Sequence, residues 1–263
     1  MRFAESRSVR VAYDVAGQGP GLVLVPGTGG SGESVWGHLA GRFADSWTVV
    51  TPDLEGAGQT TFRDRPLELE DLIDQVTAVA ADAELAEFDL VGYSLGTAVA
   101  AGLAADRGDL VRSLVLVAGV VACDARMRLQ LELWRDLFDR DPESLARVLV
   151  QSAFSAPILS AMSRDEVEAA IENFVATMPV GFRRHSELGM DIDLQDVCRQ
   201  IRTRTLVIGL TRDQITPVEQ ARALHHAIPG SAYAEIDSGH LVVFERPEEL
   251  VVRVREFISD DAP

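Results

Sequence analysis

Asp89-Leu-Val-Gly-Tyr-Ser-Leu-Gly96 is the stretch whose reading decides the fold of this chain. A short apolar run ends at Val91, a G-x-S-x-G motif occupies residues 92–96, and an alanine-rich helical stretch follows. A sharp strand-to-helix turn of this kind can lift a serine oxygen clear of the backbone, and glycines on both sides leave room for it. The same letters also fit an ordinary glycine-rich turn, so the flanking elements must separate the two readings.

Outward from the motif, short apolar runs alternate with amphipathic stretches. Val9–Val15, Leu22–Val25, Thr48–Thr51, Asp89–Val91, Leu114–Val117, Thr205–Ile208 and Tyr233–Ile236 read as strands. Leu69, Leu72, Ile73, Val76, Val79, Ala80 and Ala83 recur at helical spacing, and a last helix spans Pro247–Ile258. Thr216-Pro217-Val218-Glu219 has capping-box spacing and predicts a helix start. This alternation predicts an α/β fold with a mostly parallel central sheet flanked by helices. Residues 121–202 hold no good strand, only helical segments. They predict a helical cap inserted within a single domain whose core is 1–120 and 203–263.

Composition removes several chemistries. The 263 residues carry 24 basic and 41 acidic side chains, a net charge of −17, and every basic one is arginine. A chain without lysine forms no Schiff base and has no Walker A lysine. GC-rich coding bias is the ordinary reason for such a gap. An acidic surface argues against nucleic acid or an anionic membrane as partner. The longest apolar run, Leu114–Cys123, is ten residues long, against about 20 for a membrane span. The N-terminus has no apolar signal core, and Cys123 and Cys198 are isolated thiols, so a cytoplasmic protein is expected. No HExxH or other ligand spacing is present, and neither a metal nor a cofactor is expected.

A serine nucleophile needs a base, and the base needs an orienting acid. Asp213 follows the Thr205–Ile208 strand and His240 follows the final strand, both at strand carboxyl ends, where open α/β sheets build their sites. His225 and His226 read as helix-surface residues, and His38 and His185 have no partner visible in sequence.

With these residues in place, the chain resembles the α/β-hydrolase superfamily, of the capped, serine-nucleophile type. The resemblance rests on GYSLG at 92–96, on Asp53-Leu-Glu-Gly-Ala-Gly58, which is similar to the family's D-x-x-G-x-G segment, on the Asp213 loop and on Ser238-Gly-His240. It implies a Ser94–His240–Asp213 triad, with Asp124 as the alternative acid used by some relatives. It also implies an oxyanion hole from the N–H groups of Leu95 and Thr28. Here the chain departs from the family, because Pro26 stands where a histidine usually precedes the oxyanion glycine. A serine at the elbow argues against haloalkane dehalogenases and epoxide hydrolases, which use aspartate.

The implied function is cofactor-free hydrolysis of a carboxylic ester, thioester or lactone of a small to medium, largely apolar substrate. C–C bond hydrolysis, lyase or secondary-metabolite tailoring chemistry with the same triad, and ligand binding without catalysis, are the alternatives. Trp134, Phe138, Phe154, Met178 and Phe182 from the cap, with Trp36, Ile215 and Leu241 from core loops, are the pocket candidates. Arg183, Arg184 and His185 cluster in the cap, and two readings are open for them: contact with a carboxylate or phosphopantetheine-bearing substrate, or a solvated helix face. The expected partner is a small molecule or a carrier-bound acyl group, and the expected state is a monomer or homodimer.

Overall fold

The computed structural model describes residues 1–259. Eight strands form one sheet: β1 (Arg2–Ser6), β2 (Val9–Ala16), β3 (Gly21–Val25), β4 (Thr48–Pro52), β5 (Phe88–Tyr93), β6 (Val111–Val117), β7 (Arg204–Leu210) and β8 (Ala232–Ile236). Their spatial order is β1-β2-β4-β3-β5-β6-β7-β8. β1 pairs antiparallel with β2 and β2 antiparallel with β4, whereas every other pairing is parallel. The chain runs from β3 outward to β4 and returns on the other side of β3 as β5. Strand order therefore reverses between β3 and β5, and the loops after these two strands flank the crevice such a switch opens.

Between the strands and at the C-terminus run α1 (Gly32–Ala40), α2 (Leu69–Asp82) and α3 (Leu95–Asp106). The insertion contributes α4 (Ala125–Arg140), α5 (Pro142–Ala153), α6 (Ala156–Ala161), α7 (Arg164–Thr177), α8 (Phe182–Met190) and α9 (Gln195–Gln200). The chain closes with α10 (Val218–Ala227), α11 (Val242–Glu245) and α12 (Pro247–Ser259). No helix among the described residues is long and apolar enough to cross a membrane.

Side chains on β3 alternate between the two faces, as the period of a strand requires. Val23 and Val25 join a core with Leu72, Val76 and Leu103 of α2 and α3. Leu22 and Leu24 join the opposite core with Trp36 and Leu39 of α1 and Leu250 and Val254 of α12. Both faces are covered, which is why β3 and β5 are buried throughout. The one charge inside β5, Asp89, is fully buried and held by the Arg112 guanidinium and by the Ser113 hydroxyl at 2.7 Å.

The helical insertion leaves and re-enters the core at a backbone clasp. Ala122 bridges Asp193, Cys123 N–H donates to Ile192 O at 2.9 Å, and Leu194 N–H donates to Val121 O at 2.7 Å. Beyond the clasp, α9 packs on the core helices α3 and α10. The part that covers the sheet edge is thus shorter than the 121–202 stretch of helical sequence, because a backbone clasp has no side-chain signature. Three sequence expectations change. β1 is an additional strand, and its Arg2-Phe-Ala-Glu-Ser6 offers little apolar signal because only part of it is buried. β2 runs antiparallel to both of its neighbours, β1 and β4. The Thr216 capping box does not form, since α10 starts without a side-chain cap and the Thr216 hydroxyl turns to Asp213 and Ala118 instead.

Candidate active site

The elbow is built by steric necessity. Ser94 adopts φ 54° and ψ −121°, a region that costs a non-glycine residue about 1–3 kcal/mol and persists only where its surroundings hold it. Ser94 N–H donates to Val117 O at 2.9 Å, and Thr97 N–H returns to Ser94 O at 2.9 Å. Two residues on, a Cβ on Gly96 would lie 2.6 Å from the carbonyl oxygens of both Val25 and Pro26. Only glycine lets the first turn of α3 press against the end of β3.

His240 and Asp213 reach the same point from the ends of β8 and β7. His240 Nε2 lies 3.0 Å from Ser94 Oγ, and Nδ1 lies 2.7 Å from Asp213 Oδ2. Both side chains are nearly sealed from solvent. Asp213 Oδ1 accepts from the N–H groups of Ile215 and Thr216 at 2.8 and 2.9 Å. The Thr216 hydroxyl lies 2.8 Å from Asp213 Oδ2 and 3.0 Å from Ala118 O. These donors orient the carboxylate, which in turn selects the imidazole tautomer with its proton on Nδ1 and a free Nε2 toward Ser94. Asp124 is elsewhere: it caps α4 by accepting from Met127 N–H at 2.8 Å and takes a further bond from Gln220.

Tyr93 supports His240. Its hydroxyl donates to His240 O at 2.6 Å, and its ring stands 5.3 Å from the imidazole. Burial, reinforced by Asp213 and Glu245, pushes the phenol well above its ordinary range, so it stays a neutral donor.

A cavity of about 320 Å³ lies over Ser94, lined by Thr28, Trp134, Phe154, Met178, Phe182, Ile215 and Leu241 among others. A smaller pocket of about 40 Å³ shares Thr28, Ser94, Trp134 and Ile215 with it and adds Leu95, Met127 and Leu131. Among the described residues, no Asp, Glu or Arg lines either pocket. Six of the eight pocket candidates therefore line the cavity. Trp36 does not: α1 turns it into the opposite core, edge-on to Tyr93 at 6.1 Å. Phe138 does not either, because it stacks behind Phe182 at 5.9 Å. Leu149 and Phe244 line the cavity unforeseen, and the cap residue Phe174 joins them.

The positive cluster also dissolves. Arg183 pairs with Asp139 at 2.6 Å and Glu187 at 3.0 Å, and Arg184 bonds Arg63 O and Asp64. His185 is fully buried. Its Nε2–H donates to Glu55 O at 2.8 Å, and its Nδ1 accepts from Gly29 N–H at 3.1 Å. Burial holds its pKa below the ordinary histidine value. No local motif announces this residue, since both partners lie more than a hundred positions away.

The model of the alpha/beta hydrolase fold matches residues 20–247. Over 257 residues, 97% of each chain, this sequence is 42% identical to the pyrrolizixenacetamide deacetylase of Xenorhabdus hominickii. Among solved structures, MGS-M2, an alpha/beta hydrolase from a Medee basin deep-sea metagenome, superposes with a TM-score of 0.91. It covers 100% of this chain and 98% of its own at 16% identity. The enol-lactonase of Burkholderia xenovorans LB400 superposes with a TM-score of 0.85, covering 98% and 100% at 20% identity. These two show a shared fold.

Proposed function

The chain belongs to the α/β-hydrolase fold family, and within it we propose a serine hydrolase that removes an acyl group from an ester or amide of a neutral, largely apolar molecule. The observation that carries this reading is the unbroken chain Ser94–His240–Asp213, at 3.0 and 2.7 Å, beneath a cavity whose walls carry no Asp, Glu or Arg.

His240 Nε2 takes the Ser94 proton as Oγ attacks the acyl carbonyl carbon. The carbonyl oxygen becomes an oxyanion facing the N–H groups of Leu95 and Thr28, at the positive end of α3. Collapse breaks the bond to the leaving oxygen or nitrogen, which receives the proton from His240. Water, deprotonated by the same imidazole, then splits the acyl-enzyme and returns the proton to Ser94. Asp213 keeps the imidazole in the useful tautomer and stabilises its transient charge.

Esters, thioesters and lactones fit this sequence of steps. The full-length likeness to an acetamide deacetylase adds an N-acetyl amide, for which protonation of a poor amine leaving group by His240 is decisive. The test uses p-nitrophenyl acetate and p-nitroacetanilide with wild type and Ser94→Ala, alongside a fluorophosphonate probe. Wild type is expected to label at Ser94 and to turn over both substrates, with the variant down by roughly 10³-fold or more. Undiminished turnover in the variant would sink the mechanism, and binding of ligands without labelling would favour a receptor.

A further inference from the structure

The oxyanion loop is tied down by a residue from the insertion. Thr28 and Gly29 follow β3, and Thr28 borders both pockets beside Ser94. The neighbouring Gly29 N–H donates to His185 Nδ1, on α8 and 156 positions away. The other ring nitrogen is committed as well, because a carbonyl oxygen can only accept and Glu55 O lies 2.8 Å from Nε2. Both bonds are satisfied by one arrangement alone: a neutral ring with its proton on Nε2 and a bare Nδ1. Protonation or the other tautomer would set two N–H groups against each other at Gly29.

The same corner is fastened twice more. Gly181 N–H donates to Gly56 O at 2.9 Å, and a Cβ on Gly181 would lie 2.7 Å from Gly56 Cα. The Phe182 ring, which lines the cavity, packs directly on Gly29. The start of α8 therefore touches the loop after β3 and the loop after β4 at once.

We propose that His185 is a positioning residue that sets the Thr28–Gly29 backbone for oxyanion binding, so that seating of the insertion and completion of the oxyanion hole are one event. This rests on the serine-hydrolase reading above.

Two variants separate the two bonds, since an asparagine amide reaches the place of Nδ1 and a glutamine amide the place of Nε2. His185→Asn keeps an acceptor for Gly29 N–H, and His185→Gln keeps the donor to Glu55 O. With p-nitrophenyl acetate, His185→Gln is expected to lose ten-fold or more in kcat and in the rate of fluorophosphonate labelling, with KM changed less than about two-fold. His185→Asn is expected to recover most of that loss. In wild type, ¹⁵N NMR of the imidazole is expected to show a bare Nδ1 and a protonated Nε2, a readout that needs no variant to fold. Wild-type kcat in His185→Gln overturns the proposal, as do equal losses in both variants that follow their melting temperatures, or a proton on Nδ1. Absence of labelling in wild type overturns the serine-hydrolase reading itself; labelling at equal rates in wild type and His185→Gln overturns the role of His185 alone.

Discussion

The Tyr93 hydroxyl holds the backbone carbonyl of His240 at 2.6 Å, so the residue before Ser94 fixes the main chain of His240. Tyr93→Phe removes this bond inside a sealed site and leaves a buried carbonyl without that donor. A loss of about 1–3 kcal/mol in stability is expected, together with a fall of roughly ten-fold in kcat and little change in KM. Denaturant unfolding and steady-state kinetics on the same preparation check both. An unchanged kcat would leave Tyr93 a packing residue only.

Asp213→Asn tests the orientation of the base. The amide can present its N–H₂ to His240 Nδ1 and so favour the tautomer whose Nε2–H points at Ser94. Activity is then expected to fall by roughly 10³–10⁴-fold, with fluorophosphonate labelling slowed in parallel. Asp124→Asn, which touches only the α4 cap and Gln220, is expected to leave kcat within about two-fold of wild type.

Stability should depend on pH through His185. Burial lowers its pKa in the folded protein from the ordinary 6.5, although the Glu55 carbonyl and carboxylate pull the other way. Above about 6.5 the ring is neutral whether the chain is folded or not, so its contribution is fully present. As pH falls from there toward the lowered folded value, the unfolded chain takes up a proton that the folded one refuses, and stability drops. Denaturant midpoints at about pH 8 and about pH 5.5 should therefore separate more in wild type than in His185→Asn. Equal separations would refute the assignment.

Cys198 should be silent toward thiol reagents. It is fully buried, and burial pushes its thiol up to about 11, so that about one molecule in a thousand holds a thiolate at pH 8. Titration of the native protein with an aromatic disulfide is expected to modify Cys123 at most, and both thiols only after unfolding. Prompt reaction of both would contradict the buried position.

Ser94, Asp213 and His240 were legible because each follows an apolar run within a few residues, and a strand end predicts a place in space as well as in sequence. Trp36 was misplaced for the opposite reason. A core-loop position, as the sequence reads Trp36, predicts no direction; the residue lies on α1 beside Val35, and of the two only Val35 meets the cavity. Thr216 satisfied one local rule and was claimed instead by the Asp213 carboxylate three positions earlier and by Ala118 O, 98 positions away. His185 was invisible as a partner of Gly29 because nothing in its neighbourhood encodes a residue 156 positions away. The β1 edge strand escaped because its half-exposed residues blur the alternation that marks a strand.

The clasp between residues 121–123 and 192–194 has a consequence for building new proteins from this one. Entry and exit of the insertion lie side by side, so a foreign helical segment could be spliced there without stretching the sheet to meet it. Such a graft would leave the Ser94–His240–Asp213 chain intact, since all three residues stay with the recipient. It would still arrive with an unsupported Gly29 unless the donor brings a small residue opposite Gly56 and an acceptor in the place of His185 Nδ1. Chimeras that match the splice but ignore those two requirements should fold, bind and turn over slowly, and restoring the pair should return speed without altering which molecules are accepted.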